Sequence, residues 1–197
     1  MGLKHTYALI APFYDGALAR ATQAARRESL AALPEAPGRI LINGIGTGLD
    51  LPLLPVQHHY VGLDLTAGML RRSQPRMGSL DFQPVQGDSL RLPFASASFD
   101  HAVLHLILAV VPDPTACLQE VARVVRPGGS VLIFDKFLRR GQRAPLRRLL
   151  NPVLRRVATR LDVVFEDVLD RAPDLHLASD RPALASGWFR LIELRRR

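Results

Sequence analysis

The residues best placed to do chemistry are three glycines and three groups that follow them. Gly44, Gly46 and Gly48 close an apolar run in "ILINGIGTGLD", residues 40 to 50. Asp64 ends a second apolar run, "YVGLDL", and Asp88 with Ser89 ends a third, "VQGDS". His105 lies near the end of a fourth, "FDHAVLHL". A glycine-rich turn after a strand lets backbone N–H groups and a helix N-terminus approach a ligand closely. An acid about twenty residues beyond the first glycine can accept ribose hydroxyls. A carboxylate at the next strand end, with the N–H after it, can meet an adenine edge. Histidine titrates near neutral pH, so His105 is a candidate base, or a polar wall residue against the ligand.

The glycine spacing is G-x-G-x-G, and Leu49 stands where the dinucleotide fingerprint has its last glycine. That disfavours a nicotinamide dehydrogenase. A tight strand-to-helix turn also needs glycine for packing, so the turn alone carries both readings. The ordered set at the ends of three successive strands is what favours a nucleoside ligand. Among the other histidines, His58 and His59 read as solvated loop residues, and His101 as buried or partnered in its strand. His5 and His176 carry no pattern.

The elements that must position these groups alternate. Ala17 to Leu33 has helical periodicity, with Leu18, Ala21, Ala25, Leu30 and Leu33 recurring. Strands are expected at Ile40–Asn43, Tyr60–Asp64, Phe82–Gln86, Phe99–Leu106 and Ser130–Phe134. Thr66 can cap a short helix around Met69 to Ser73, and Asp113 or Thr115 one running to Val125. Pro52 to Pro55 is broken, and Pro127-Gly128-Gly129 reads as a turn. Asp162 can start a helix through Leu169. Two strands then follow with no helix between them, Leu175–Ser179 and Trp188–Leu194. The pattern predicts an α/β domain: a parallel sheet covered on both faces, ending in an antiparallel hairpin.

The chain of 197 residues suits one domain with a real core. A single cysteine, Cys117, excludes an internal disulfide framework. No long apolar signal core or membrane-length apolar run is present, and a cytoplasmic setting is expected. The formal charge is +8, with 26 basic and 18 acidic residues. Residues 136 to 161 hold Lys136 and eight arginines and no acid, so the remainder has 17 basic residues against 18 acidic. The excess is therefore local.

The motifs together resemble the class I S-adenosylmethionine-dependent methyltransferases. They are "YALIAPFYD", "GIGTGLDLPLLP", "VGLDLTAGMLRRS", "GDSLRLPFASASFD", "LHLILAVVPDP" and "EVARVVRPGG", within residues 7 to 134. The wording is similar to the ubiquinone/menaquinone C-methyltransferases and the bacterial phosphatidylethanolamine N-methyltransferases. The resemblance implies a Rossmann-like, doubly wound, seven-stranded sheet, mostly parallel with an antiparallel C-terminal hairpin, and S-adenosyl-L-methionine as cofactor. It implies that Asn43, Gly44, Ile45, Gly46 and Gly48 lie along the methionine part, and that Asp64 binds the ribose. Leu65 and Met69 would pack beside the adenine, and Asp88 with Ser89 would read its edge. His105 would face the methionine moiety or the acceptor. Tyr7 and Tyr14 would help cover the site, with Tyr14 and His105 the candidates for a catalytic role. Metal ligands are not expected. The family usually has an acid two residues before the first glycine. Here Ile42 holds that place, followed by Asn43, which leaves open a protein that holds the cofactor without turnover.

"APLRRLLNPVLRRVATRL" puts Leu146, Leu149, Leu150, Val153, Leu154 and Val157 on one helical face, with Arg147, Arg148, Arg155 and Arg156 largely opposite. Pro152 should kink or split the helix. The segment reads either as a core-covering helix with solvated arginines or as a cap over the acceptor pocket. In the second reading it meets anionic lipid headgroups, peripherally at the inner face of a membrane. Nucleic acid ranks last, because no aromatic rings interleave the arginines. One domain is expected over 1–197, with an N-terminal lid over 1–35 and a basic helical insertion over 136–172. A lipid or small-molecule acceptor follows, with a phosphatidylethanolamine-like amine ahead of a quinone ring carbon.

Overall fold

The computed structural model describes residues 20–141 and 162–197. Tyr7, Tyr14 and the arginines at 147, 148, 155 and 156 lie outside these residues. Helix α1 spans residues 20–30 and leads through a tight turn to strand β1, Arg39–Asn43. Then come β2 (His59–Asp64), α2 (Ala67–Ser73), β3 (Asp81–Gln86), β4 (Phe99–His105) and α3 (Pro114–Val124). The described chain ends with β5 (Val125–Lys136), α4 (Phe165–Leu169), β6 (Leu175–Leu184) and β7 (Phe189–Arg196).

The seven strands form one sheet in the order β3-β2-β1-β4-β5-β7-β6. β1 pairs in parallel with β2 and β4, β2 with β3, and β4 with β5. β7 enters antiparallel between β5 and β6. The order reverses direction at β1 and β4, so the carboxyl ends of these two strands diverge into a crevice, where such sheets bind ligands.

The central strands are apolar on both faces because both are covered. Ile40, Ile42, Val103 and Leu132 pack with Leu30 and Leu33 after α1. Leu41, Ala102, Leu104, Val131 and Ile133 pack on the other side with α3 and α4. Asp113 caps α3, its carboxylate accepting from the N–H groups of Thr115 (2.9 Å) and Ala116 (3.0 Å).

Three local expectations are corrected. Pro127-Gly128-Gly129 does not precede the strand but sits within β5 as a bulge: Phe99 pairs with Val125, and His101 then pairs with Ser130. Helix α4 starts at Phe165 rather than Asp162, because Val164 is held in a parallel bridge to Leu138 and the Leu138 N–H donates to Val163 O. Just beyond, Arg140 pairs with Asp167 and Asp170. His58 and His59 are not solvated loop residues. His59 opens β2, and His58 is 1% exposed, accepting from the Gly38 N–H at 3.1 Å with its ring edge-on to Tyr60.

His101 is buried too, its Nδ1 2.7 Å from the Ser130 hydroxyl. Burial lowers the pKa of both histidines below the ordinary 6.5. The unfolded chain therefore binds more protons than the fold between the two values. Stability is full above pH 6.5 and is lost as the pH falls through the folded-state values. The urea midpoint is expected to be lower at pH 5.5 than at pH 7.5, with the difference reduced in His58→Asn/His101→Asn. An equal midpoint at both pH values would refute the assignment.

Candidate cofactor site

The turn after β1 is built on three left-handed glycines, with φ of +76° at Gly44, +56° at Gly46 and +81° at Gly48. They do different work. A Cβ on Gly44 would lie 2.6 Å from Ile107 Cδ1, and one on Gly48 would lie 2.9 Å from Leu51 and Ser73 side-chain atoms. These two glycines let neighbouring elements close in. A Cβ on Gly46 would meet nothing within 4 Å. Gly46 is the glycine that faces open space at the carboxyl end of β1.

The turn is tied to β2. Leu63 O accepts from both the Gly44 and Ile45 N–H groups at 2.9 Å, and Asp64 Oδ2 accepts from the Gly46 N–H at 3.0 Å. The other oxygen, Oδ1, accepts from the Thr66 N–H (2.9 Å) and hydroxyl (3.2 Å). Thr66 thus occupies the start of α2 but turns its hydroxyl back to Asp64. A carboxylate oxygen has about two acceptor positions. Oδ1 is filled and Oδ2 has one left, so the half-buried Asp64 can take one further donor without breaking a bond. Because the amides of Gly44, Ile45, Gly46 and Gly48 all donate inside the protein, the turn offers few donors to a pyrophosphate. A ligand packed against the glycine backbone suits it better.

The other sequence-predicted residues fall into two groups. Leu65, 48% exposed, directly follows Asp64 after β2, Met69 is half-buried in the first turn of α2, and Asp88 is exposed after β3. All three lie beyond the carboxyl ends of β2 and β3, the same edge of the sheet as the glycine turn. Asp88 Oδ1 accepts from the Leu90 N–H at 2.9 Å, which fixes its loop. Ile45, Asn43 and Ser89 turn their side chains inward. Ile45 packs in the core with Ile42 and Tyr60. The Ser89 hydroxyl donates to Asn43 Oδ1 at 2.7 Å, and Asn43 Nδ2 approaches Cys117 Sγ at 3.5 Å. Burial pushes the Cys117 thiol up to about 12. Asn43 therefore braces β1 against the β3 loop and α3, on the sheet face opposite Ile42, and its side chain does not stand in for an acid at position 42.

His105 is also engaged. Its side chain is 1% exposed, Nδ1 lies 2.8 Å from Asp50 Oδ1, and Nε2 lies 3.0 Å from Ser29 Oγ. Asp50 in turn binds Arg26 at 2.8 Å, and Arg26 Nε donates to Thr22 at 3.0 Å. Burial raises the Asp50 pKa, but His105 and Arg26 outweigh it and hold the carboxyl far below its ordinary value. Sequence reasoning missed Asp50, Arg26 and Ser29. A usable signal existed: Thr22, Arg26 and Ser29 are polar residues at i, i+4 and i+7 within the apolar stripe of α1. Asp135 was missed as well. It is fully buried at the end of β5 and accepts from the Ala109 (3.0 Å) and Lys136 (2.8 Å) N–H groups, and burial raises its pKa.

The open face of Gly46, the spare acceptor position on Asp64 and the exposed Leu65 suit a nucleoside attached to a small polar chain. Among the described residues no cluster of His, Cys, Asp and Glu could hold a metal ion.

Comparison with known proteins agrees. Residues 41–133 match the family described as a methyltransferase domain. The chain is 31% identical over 189 residues to a phosphatidylethanolamine N-methyltransferase of Cereibacter sphaeroides, covering 93% of each. It is 40% identical over 112 residues to a demethylmenaquinone methyltransferase of Mycobacterium sp. (strain KMS), covering 56% of this chain and 47% of that one. Among solved structures, it is similar to the putative methyltransferase of Haloferax volcanii in complex with the Trm112 methyltransferase activator. There the TM-score is 0.75 at 20% identity, covering 96% of each chain.

The geometry separates two glycines experimentally. Gly46→Ala is expected to cost only the left-handed backbone strain, about 1 kcal/mol, and to weaken S-adenosylhomocysteine binding at least tenfold in calorimetry. Gly44→Ala should instead lose about 2 kcal/mol of stability through the clash with Ile107 and the strained backbone. The reverse order of effects would contradict the assignment of the open face. Fold, site and relatives converge: the chain belongs to the class I S-adenosylmethionine-dependent methyltransferases.

Proposed function

We propose that the protein methylates the amine of a phosphatidylethanolamine-like lipid. The observation that carries this reading is the reach of the similarity. The likeness to the Cereibacter sphaeroides phosphatidylethanolamine N-methyltransferase runs over 93% of both chains. The likeness to the Mycobacterium demethylmenaquinone methyltransferase is higher in identity but covers 56% of this chain. Acceptor choice depends on what surrounds the cofactor half, and a likeness over 93% of both chains takes in more of that surrounding part than one over 56%.

When bound, the sulfonium cofactor supplies a methyl group already activated by its positive sulfur. The chain then has to hold the two reactants in line and keep water out. In this reading Gly44, Gly46 and Gly48 form the floor under the methionine part, and Asp64 Oδ2 accepts a ribose hydroxyl. Leu65 and Met69 flank the adenine, and Asp88 with the backbone at Ser89 faces its edge. His105 holds the site together rather than taking the acceptor's proton, since both its ring nitrogens are engaged. The proton of the amine leaves to solvent.

The basic segment supports a lipid acceptor. Arg147, Arg148, Arg155 and Arg156 give its sequence a positive charge that anionic headgroups attract, at about 1 kcal/mol for each residue near the surface. Among the described residues no helix is long and apolar enough to cross a membrane. A peripheral contact through these arginines is the arrangement we infer.

Incubation with S-adenosylmethionine and mixed vesicles is expected to yield lipid heavier by one methyl group on the headgroup amine. Methylation of a demethylated quinone and not of the lipid would favour the quinone reading. Binding to anionic vesicles should weaken with salt and fall further when the four arginines are replaced by glutamine. Salt-insensitive binding, or binding unchanged by the replacements, would remove the membrane contact.

A further inference from the structure

Asp50 follows Gly48 by two residues and is buried, with side-chain exposure of 6%. It lies between a guanidinium from α1 and an imidazole from the end of β4, each at 2.8 Å. Ser29, also from α1, closes the circuit on the far nitrogen of His105 at 3.0 Å. One hydrogen assignment gives each of these contacts a donor and an acceptor. Arg26 and His105 Nδ1 donate to Asp50, the Ser29 hydroxyl donates to His105 Nε2, and Arg26 Nε donates to Thr22.

Three separate parts of the chain meet in this circuit. Asp50 carries the glycine turn. His105 carries the end of β4, where Leu106 is held at φ +59° and Ile107 packs over Gly44. Arg26 and Ser29 carry α1, whose Ala25 shares a cluster with Phe134 and Leu191. Charges this deeply buried add little stability over apolar packing of the same volume, but they do fix geometry when every member is satisfied.

We infer that Arg26, Ser29, Asp50 and His105 are positioning residues that lock α1 onto the glycine turn, so that cofactor binding and the placement of α1 are one coupled event. The inference rests on the cofactor lying over Gly46. On this view the acid that organises the cofactor end of β1 is Asp50, reached from beyond the turn, while position 42 is free to be the core residue Ile42.

Three variants test it: Ser29→Ala, Ser29→Thr and Asp50→Asn. For each, S-adenosylhomocysteine affinity is measured by calorimetry, the unliganded melting temperature by scanning, and amide hydrogen exchange over residues 20–30 with and without the ligand. In the unaltered chain the ligand should slow exchange over residues 20–30. Ser29→Ala should weaken binding about tenfold, equivalent to about 1.4 kcal/mol, and abolish that slowing, with the unliganded melting temperature within a few degrees. Ser29→Thr, which keeps the hydroxyl, should restore both. Asp50→Asn should show the larger loss of affinity. Unchanged affinity and unchanged protection in Ser29→Ala and Asp50→Asn would overturn the inference, even with lowered melting temperatures, and reduce the circuit to a brace. No binding by the unaltered chain would instead overturn the placement of the cofactor itself.

Discussion

Two adjacent residues of β2, Leu63 and Asp64, take three consecutive amide hydrogens from the turn after β1. Most of the site depends on that capture. A left-handed glycine run has several conformations of similar energy, and in isolation it would sample them. The Leu63 carbonyl removes that freedom at Gly44 and Ile45, and the Asp64 carboxylate removes it at Gly46. The register between β1 and β2 therefore also sets where the open face of Gly46 points. One carboxylate is both a structural anchor and a residual acceptor, so the open acceptor position belongs to a group whose placement is already fixed.

The opposite side of the turn is held by charge. Asp50 shares one oxygen between Arg26 and His105. Loss of one partner from a buried pair typically costs about 3–5 kcal/mol, because the remaining charge is stranded. Here three groups share one set of contacts, and these join the helix before β1, the turn after it and the end of β4. A second buried cation, Arg190, does comparable work on the other face. It is 1% exposed, reaches Glu166 and Asp180, and lies over the rings of Phe137 and Phe165. It fastens α4 to the antiparallel part of the sheet.

The sheet was largely legible in the sequence because its signals are local. Apolar runs of strand length, an acid or glycine at the ends of β1, β2 and β3, and Asp113 before α3 are read within a few residues of one another. The antiparallel end was legible from the missing helix between the last two strands. The buried circuit was not, since its contacts join residues 24, 55 and 76 positions apart. His58 was misjudged for a related reason. A histidine pair beside Gln57 looks polar, and its burial is decided by Gly38 and Tyr60, which pack from outside that stretch. Asn43, Ile45 and Ser89 lie at or just after strand ends, where the sequence led us to expect ligand contacts, but the pleat of β1, the glycine turn and the β3 loop aim their side chains into the protein.

The two borders of the segment from 142 to 161 are pinned to each other. Leu138 bridges Val164, and Arg140 grips the first turn of α4 and the residue just beyond it through Asp167 and Asp170. A chain with fixed ends pays little for the length between them: doubling a loop costs only about 0.6 kcal/mol. The flanking contacts act as a clasp: they hold the end of β5 and the start of α4 in one fixed spacing through Leu138, Arg140, Val164, Asp167 and Asp170 themselves.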